Sequence, residues 1–493
     1  MYYLKTLLIP LFLFYSVILF AQFPIQGDYQ SIFLNETPDL PNYQEFIADN
    51  SVPSPMQITR ISDYYEPWDW YPIIEYAKIQ TWNADQTAYK IRSVWVYDAE
   101  THQIINNLPS GDLYPAYWSN INSDLIFSFR ENGDIKTYSL STETITTVHS
   151  IVGYDVIKLG PGEGNIDKND KYVALVGKRN TDLDVIIYDL ELNQVIHTEI
   201  FAGAWGNGQD WSPEYIDWIS VSQSGDYVGI MWNHTTTSSA NTFNGHFGVE
   251  IFNTIDMNYL RRIADYGNHG DFGYAVDGDE VFVQFWGPNT TDYVNMYYLN
   301  RMERITIATH PDFDAAGHIS CRNINRPGWT YLTQTDAAQS GQIVALKLDD
   351  SGIVEHFGHH FSSSTTYDKV PMAVPSPNGD KVMFKSDFGD AANTDLVYVF
   401  QSKVYGVILG VNNFQVNNLN IYPNPTENNL FIEMKSLINT IFIYNSLGQK
   451  IITISDVNNL TYNLNTENLY AGTYFIRLET RNSQIYTKLF LKK

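Results

Sequence analysis

The run Val374-Pro375-Ser376-Pro377-Asn378-Gly379-Asp380-Lys381-Val382-Met383-Phe384-Lys385-Ser386-Asp387, followed after a loop by Asp395-Leu396-Val397-Tyr398-Val399-Phe400, decides the fold. It reads as a polar turn, a β-rich strand, a second turn and another strand. Asn378 and Gly379 tolerate positive φ, which suits a tight reversal. One such hairpin cannot bury its own apolar faces, so it needs copies of itself to stack on. Copies of the turn and strand recur at 83–91, 120–127, 167–175, 222–230, 276–283 and 326–332. Four of them have a clear following strand, at 94–98, 185–189, 249–252 and 343–346. With the first run they make seven units, spaced roughly 35 to 55 residues apart, the period of a four-stranded propeller blade.

The expected fold class is therefore all-β: a seven-bladed β-propeller over 56–402, followed by a small immunoglobulin-like β-sandwich over 417–493. Residues 56–61, ahead of the first blade, are placed to complete the last blade and close the ring. A chain of 493 residues exceeds one ordinary core, and a radial repeat escapes that limit because each blade needs only its neighbours.

Residues 1–21 read as a signal peptide, with Lys5 ahead of the apolar run 7–20 and cleavage expected after Ala21. The polar stretch 22–55 reads as an N-terminal extension, and 403–416 as a linker. Aromatics crowd 64–71. The loop 203–217 is longer than an ordinary connection, and the polar insertion 233–245 should protrude from the fourth blade. The net charge of −25 argues against a nucleic-acid partner. Cys321 is the single cysteine, so no disulfide or thiolate zinc cluster forms within the chain. A monomer is expected.

Several familiar chemistries are absent. There is no Gly-x-Ser-x-Gly nucleophile elbow. The glycine run at 160–164 precedes a strand and not a helix, so it is no phosphate loop. What stands out is Gly317-His318-Ile319-Ser320-Cys321-Arg322-Asn323-Ile324-Asn325-Arg326-Pro327-Gly328-Trp329. It sets a histidine and two arginines just before a blade strand. His269 occupies the same relative place one blade earlier, and His359-His360 about one blade later, followed by Tyr367. Histidine and arginine gathered near one face of so acidic a chain could hold an anionic ligand.

Two resemblances follow from these residues. The tail carries Tyr422-Pro423-Asn424-Pro425, Tyr444-Asn445-Ser446-Leu447-Gly448, Leu469-Tyr470-Ala471-Gly472-Thr473-Tyr474 and Lys488-Leu489-Phe490-Leu491-Lys492. In that order they resemble the type A C-terminal sorting domain of the type IX secretion system of Bacteroidetes. That family implies the secretion machinery as a partner, export across the outer membrane and an extracellular or surface location. The His318-x-x-x-Arg322 and Arg326-Pro327-Gly328-Trp329 patterns, with the blade at 374–387, are similar to seven-bladed polysaccharide lyases such as oligogalacturonate and ulvan lyases. The blade pattern is shared with TolB-like propellers. The lyase resemblance implies β-elimination on a uronic acid, with His318 or His269 as base and Tyr367 as acid. Arg322 or a histidine-bound divalent metal would neutralise the carboxylate, and Arg326, His359 and His360 would help bind an acidic polysaccharide. The alternative is a non-catalytic surface propeller that binds glycan or protein.

Overall fold

A computed structural model of the protein describes residues 23–63, 73–160, 163–210, 212–233, 242–287, 289, 291–313, 317–334, 340–389, 396–405, 419–445, 450–480 and 485–493. The expected signal peptide, the whole aromatic cluster at 64–71, most of the insertion at 233–245 and most of the linker lie outside the described residues. The chain divides into two compact units, 1–406 and 407–493.

The first unit is a seven-bladed propeller. Blade 3 shows the pattern: Val156–Leu159, Tyr172–Arg179, Asp182–Asp189 and Gln194–Phe201 pair antiparallel in sequence order, from the channel outward. Its second and third strands carry the apolar runs Val173 to Val176 and Val185 to Tyr188, buried residue after residue and so on both faces, as a sheet sandwiched between neighbours requires. In blade 1 the strands are Ala88–Ile91, Trp95–Asp98 and Ile104–Asn107, and a single bridge from Trp82 to Tyr89 marks the innermost position.

Blade 7 carries the stretch that decides the fold. Its strands Val374–Pro375, Lys381–Ser386 and Tyr398–Val404 are followed across the seam by Met56–Arg60. Phe400 pairs with Arg60 and Val404 with Met56, so the ring closes. At the turn, Gly379 has φ +68°, and a Cβ there would lie 2.3 Å from the Tyr331 hydroxyl of blade 6. The Gly379 amide donates to Ser376 O at 2.8 Å, and the Tyr331 hydroxyl donates to the Gly379 carbonyl. Glycine is thus needed both for its conformation and for close approach between blades.

Apolar layers run from blade to blade. Between blades 6 and 7, Tyr331, Ile343 and Phe357 pack with Met56, Ile58, Phe384 and Phe400; Val176, Val185 and Ile187 of blade 3 meet Ile219, Val228 and Ile230 of blade 4. Each such fully buried side chain contributes ~1.5–3 kcal/mol.

The N-terminal extension is a pair of straps. Gln26–Asp28 adds a fifth strand to blade 6 beside Ile353–His359, and Phe46–Asp49 adds a fifth to blade 7 beside Met56–Arg60. His359 ties both: its Nε2–H donates to the Ile32 carbonyl at 3.0 Å, and its Nδ1 lies 2.9 Å from the Asp49 carboxylate.

The second unit, over residues 419–492, is a β-sandwich-like domain of six strands around Leu430, Ile432, Ile441, Ile443, Ile476, Leu478 and Phe490. Asn424 explains why its Tyr-Pro-Asn-Pro motif and its terminal strand occur together. The Asn424 amide donates to Leu489 O at 3.1 Å and accepts from Leu491 N at 2.8 Å, so a side chain extends the strand ladder where the flanking prolines cannot.

Candidate functional site at the channel mouth

The innermost strands of a propeller line its central channel, and the residues that enter them ring one mouth. Here that mouth holds a cavity of about 400 Å³. Blade 7 contributes Tyr367, Asp368 and Lys385, the segment entering blade 1 contributes Glu75 and Tyr76, and blades 1 to 3 add Arg92, Tyr114, Tyr117, Glu131, Lys158 and Glu163. His269 and His318, at the starts of blades 5 and 6, stack with ring centroids 4.6 Å apart and planes at 20°. Tyr76 meets His318 edge-on at 5.0 Å, and Tyr367 meets it at 6.4 Å. The structure therefore brings His269, His318 and Tyr367 together.

Their surroundings set their chemistry. His269 Nδ1 lies 2.9 Å from the Gly317 carbonyl. A carbonyl only accepts, so in the neutral ring Nδ1 carries the proton and Nε2 the lone pair. His318 is 3% exposed, and neither ring nitrogen has a hydrogen-bond partner. Burial, with the charges of His269, Lys78 and Lys385, holds its pKa well below the histidine range, so the ring is neutral. Tyr367 is 63% exposed. Crowding of its hydroxyl by the mouth, with Glu163 and Asp368 adding, raises its pKa.

The carboxylates of the mouth are largely matched. Lys78 Nζ lies 2.9 Å from Glu163, Lys158 is 2.9 Å from Glu131, and buried Lys90 is 2.7 Å from Glu75. Lys385 is buried, with Nζ 3.5 Å from the Tyr367 carbonyl. Burial lowers its pKa to about 8, opposed by Asp368 and aided by Arg92. Asp217, on the innermost strand of blade 4, keeps an exposed edge, but protein packs around its carboxylate. That desolvation raises its pKa, while Lys78 pulls it down, Glu163 adds to the rise and His269 opposes it. Sequence reasoning missed Lys385, Tyr76, Asp217 and the Lys78–Glu163 pair. A lysine inside the otherwise core-forming strand Lys381–Ser386 was the available signal.

The other four candidates are held by partners away from the mouth cavity. Arg322 makes a two-pronged ion pair with buried Asp271, Nε to Oδ2 at 3.0 Å and Nη2 to Oδ1 at 2.9 Å. It borders a separate cavity of about 20 Å³ with Gln80, Trp118 and Asn165. Arg326 grips Glu355 with bonds of 2.9 and 2.7 Å and lies over Trp329. His359 anchors the straps. His360 is fully buried, accepts from Ser362 N at 2.9 Å, and has its pKa pushed down to about 3, first by burial. For Arg322, Arg326 and His359 the physical reason is shared: in so acidic a chain, buried carboxylates and strap carbonyls claim the cations and ring N–H groups nearest them; His360 is held instead by burial and by the Ser362 N–H.

A divalent metal finds no fit at the mouth. Among the described residues no three His, Cys, Asp or Glu side chains gather around one point, and the His269–His318 rings lie face to face.

A family model described as "Secretion system C-terminal sorting domain" matches residues 420–492. The tail is thus a sorting domain of the type IX secretion system, and it directs the protein to that machinery for export to the cell surface or beyond. No curated protein matches the chain. Among solved structures, an oligogalacturonate lyase in complex with manganese is similar over 77% of this chain and 98% of its own, with TM-score 0.52 and 12% identity. An oligogalacturonate lyase from Vibrio parahaemolyticus covers 73% and 96%, at TM-score 0.49 and 14% identity. A chain of a mitotic checkpoint complex covers 76% and 98%, at 0.42 and 12%. At these identities the likeness is one of fold alone.

Proposed function

We propose that the exported propeller acts at its channel mouth on an acidic extracellular polysaccharide, cleaving it by β-elimination. The observation that carries this reading is the row His269, His318, Tyr367, with the lone pair of His269 Nε2 fixed by the Gly317 carbonyl. Lys385 and Arg92 line the mouth cavity with Tyr367 and would neutralise the uronate carboxylate, which acidifies the neighbouring C–H. His269 Nε2 takes that proton and the electron pair forms the new C=C bond. The C–O bond to the next sugar breaks, and Tyr367 gives its proton to the departing oxygen. Neutral, buried His318 holds His269 in place by stacking.

The test is a panel of uronate polysaccharides and oligosaccharides, with the unsaturated product followed by ultraviolet absorbance. The parent should produce it, and His269→Ala should lower turnover by ~10²–10⁴. A second reading, non-catalytic glycan binding, is favoured by the engagement of Arg322, Arg326, His359 and His360 with partners away from the mouth cavity. It is preferred if no substrate yields absorbance while a uronate oligosaccharide still binds.

A further inference from the structure

We propose that the buried ion pair between Lys369 and Asp387 is a positioning latch that holds Tyr367 against Lys385, an inference that rests on reading the mouth as the functional site. Tyr367–Lys369 is one 3-10 turn, with Tyr367 exposed and Lys369 buried. Lys381–Ser386 presents Lys385, and Asp387 follows directly. On each side the mouth residue thus stands two positions before the latch residue.

Lys369 Nζ lies 2.9 Å from Asp387 Oδ2, with side chains 1% and 0% exposed. Asp387 also accepts from Ser363 N at 2.7 Å and from Ser363 Oγ at 2.5 Å. Ser362 Oγ donates to the Lys369 carbonyl, and Ser362 N to His360 Nδ1. Lys385 N donates to Pro371 O at 3.0 Å, closing the same segment from the other side. Burial raises the Asp387 pKa, but the bonds from Lys369 and Ser363 outweigh it and keep the group ionised. A buried ion pair adds little stability over apolar groups of the same shape. What it can add is a defined geometry, and here the geometry fixed is that of the two mouth residues.

The test uses the full mature chain, with the double variant Lys369→Met/Asp387→Leu, which keeps the pair's volume apolar, and Asp387→Asn, which keeps its shape. Trinitrobenzenesulfonate labels Lys385 across a pH series, and peptide mass spectrometry locates the adduct. The groups facing that amine are Asp368, Arg92 and the carbonyl and ring of Tyr367. The parent should label with a midpoint near 8. In the double variant the midpoint should move toward the ordinary lysine value of ~10.4 as the loosened turn admits water. Where the parent has eliminase activity, kcat should also fall by at least ~10-fold with KM within ~3-fold. An unchanged labelling midpoint overturns the latch. So does a double variant that fails to fold while Asp387→Asn folds and labels like the parent, because the pair then holds the blade and not the turn. A parent without eliminase activity removes the lyase reading alone, since the labelling profile still decides the latch.

Discussion

Replacing Arg322 by alanine leaves the Asp271 carboxylate buried with only its bonds from Cys321 N and Phe272 N. Breaking one side of a buried ion pair costs about 3–5 kcal/mol, so Arg322→Ala should lower the unfolding free energy by about that much in urea. A change below ~1 kcal/mol would show the pair to be incidental. Tyr367→Phe is the opposite case. The side chain is largely in water, so the thermal midpoint should hold while turnover on an active substrate falls by ~10²-fold or more. Sequence placed Arg322 and His318 together because they are four positions apart on one strand entry. It gave no sign that Arg322 is engaged in an ion pair, since the deciding partner, Asp271, stands 51 positions away.

Hairpins were legible as elements because each joins a β-branched run to a turn that needs Asn, Asp or Gly. The straps were not. Gln26–Asp28 has the sequence Gln-Gly-Asp and is exposed along its length, so it carries no strand signal. It is a strand because the edge of Ile353–His359 offers it unpaired backbone groups. Deleting residues 23–34 should therefore lower the thermal midpoint and promote aggregation, visible by light scattering on heating; a deletion that behaves like the parent would mean that the edge is protected otherwise. The same outer edge makes stability depend on pH. Burial lowers the pKa of His356 to about 4 and of His360 to about 3, against ~6.5 in the unfolded chain. Between those values the unfolded state binds more protons. The stabilisation is complete above pH ~6.5 and is lost as pH falls, by about 1.4 kcal/mol per pH unit for each histidine. Urea unfolding at pH 7 and pH 5 measures this, and His356→Gln should flatten the dependence.

For the whole molecule, the seven repeats and the tail motifs could be read because each recurs or is locally dense. The mouth could be read only in part, because it is assembled from single residues contributed by separate blades. Deleting residues 417–493 should strand the protein in the periplasm. Fractionation and immunoblotting would expose the error if surface and medium levels stayed equal with and without the tail.

The seam of blade 7 also constrains how the molecule is made. Met56–Arg60 finds its partner only when Tyr398–Val404 exists, so closure is a contact of very high sequence separation and should be the slow step of folding. Until then the chain is an open arc, with unpaired backbone on Met56–Arg60 and Tyr398–Val404. Two arcs that meet before either closes can exchange these strands and yield domain-swapped dimers. The yield of correctly closed rings on refolding should accordingly fall as protein concentration rises.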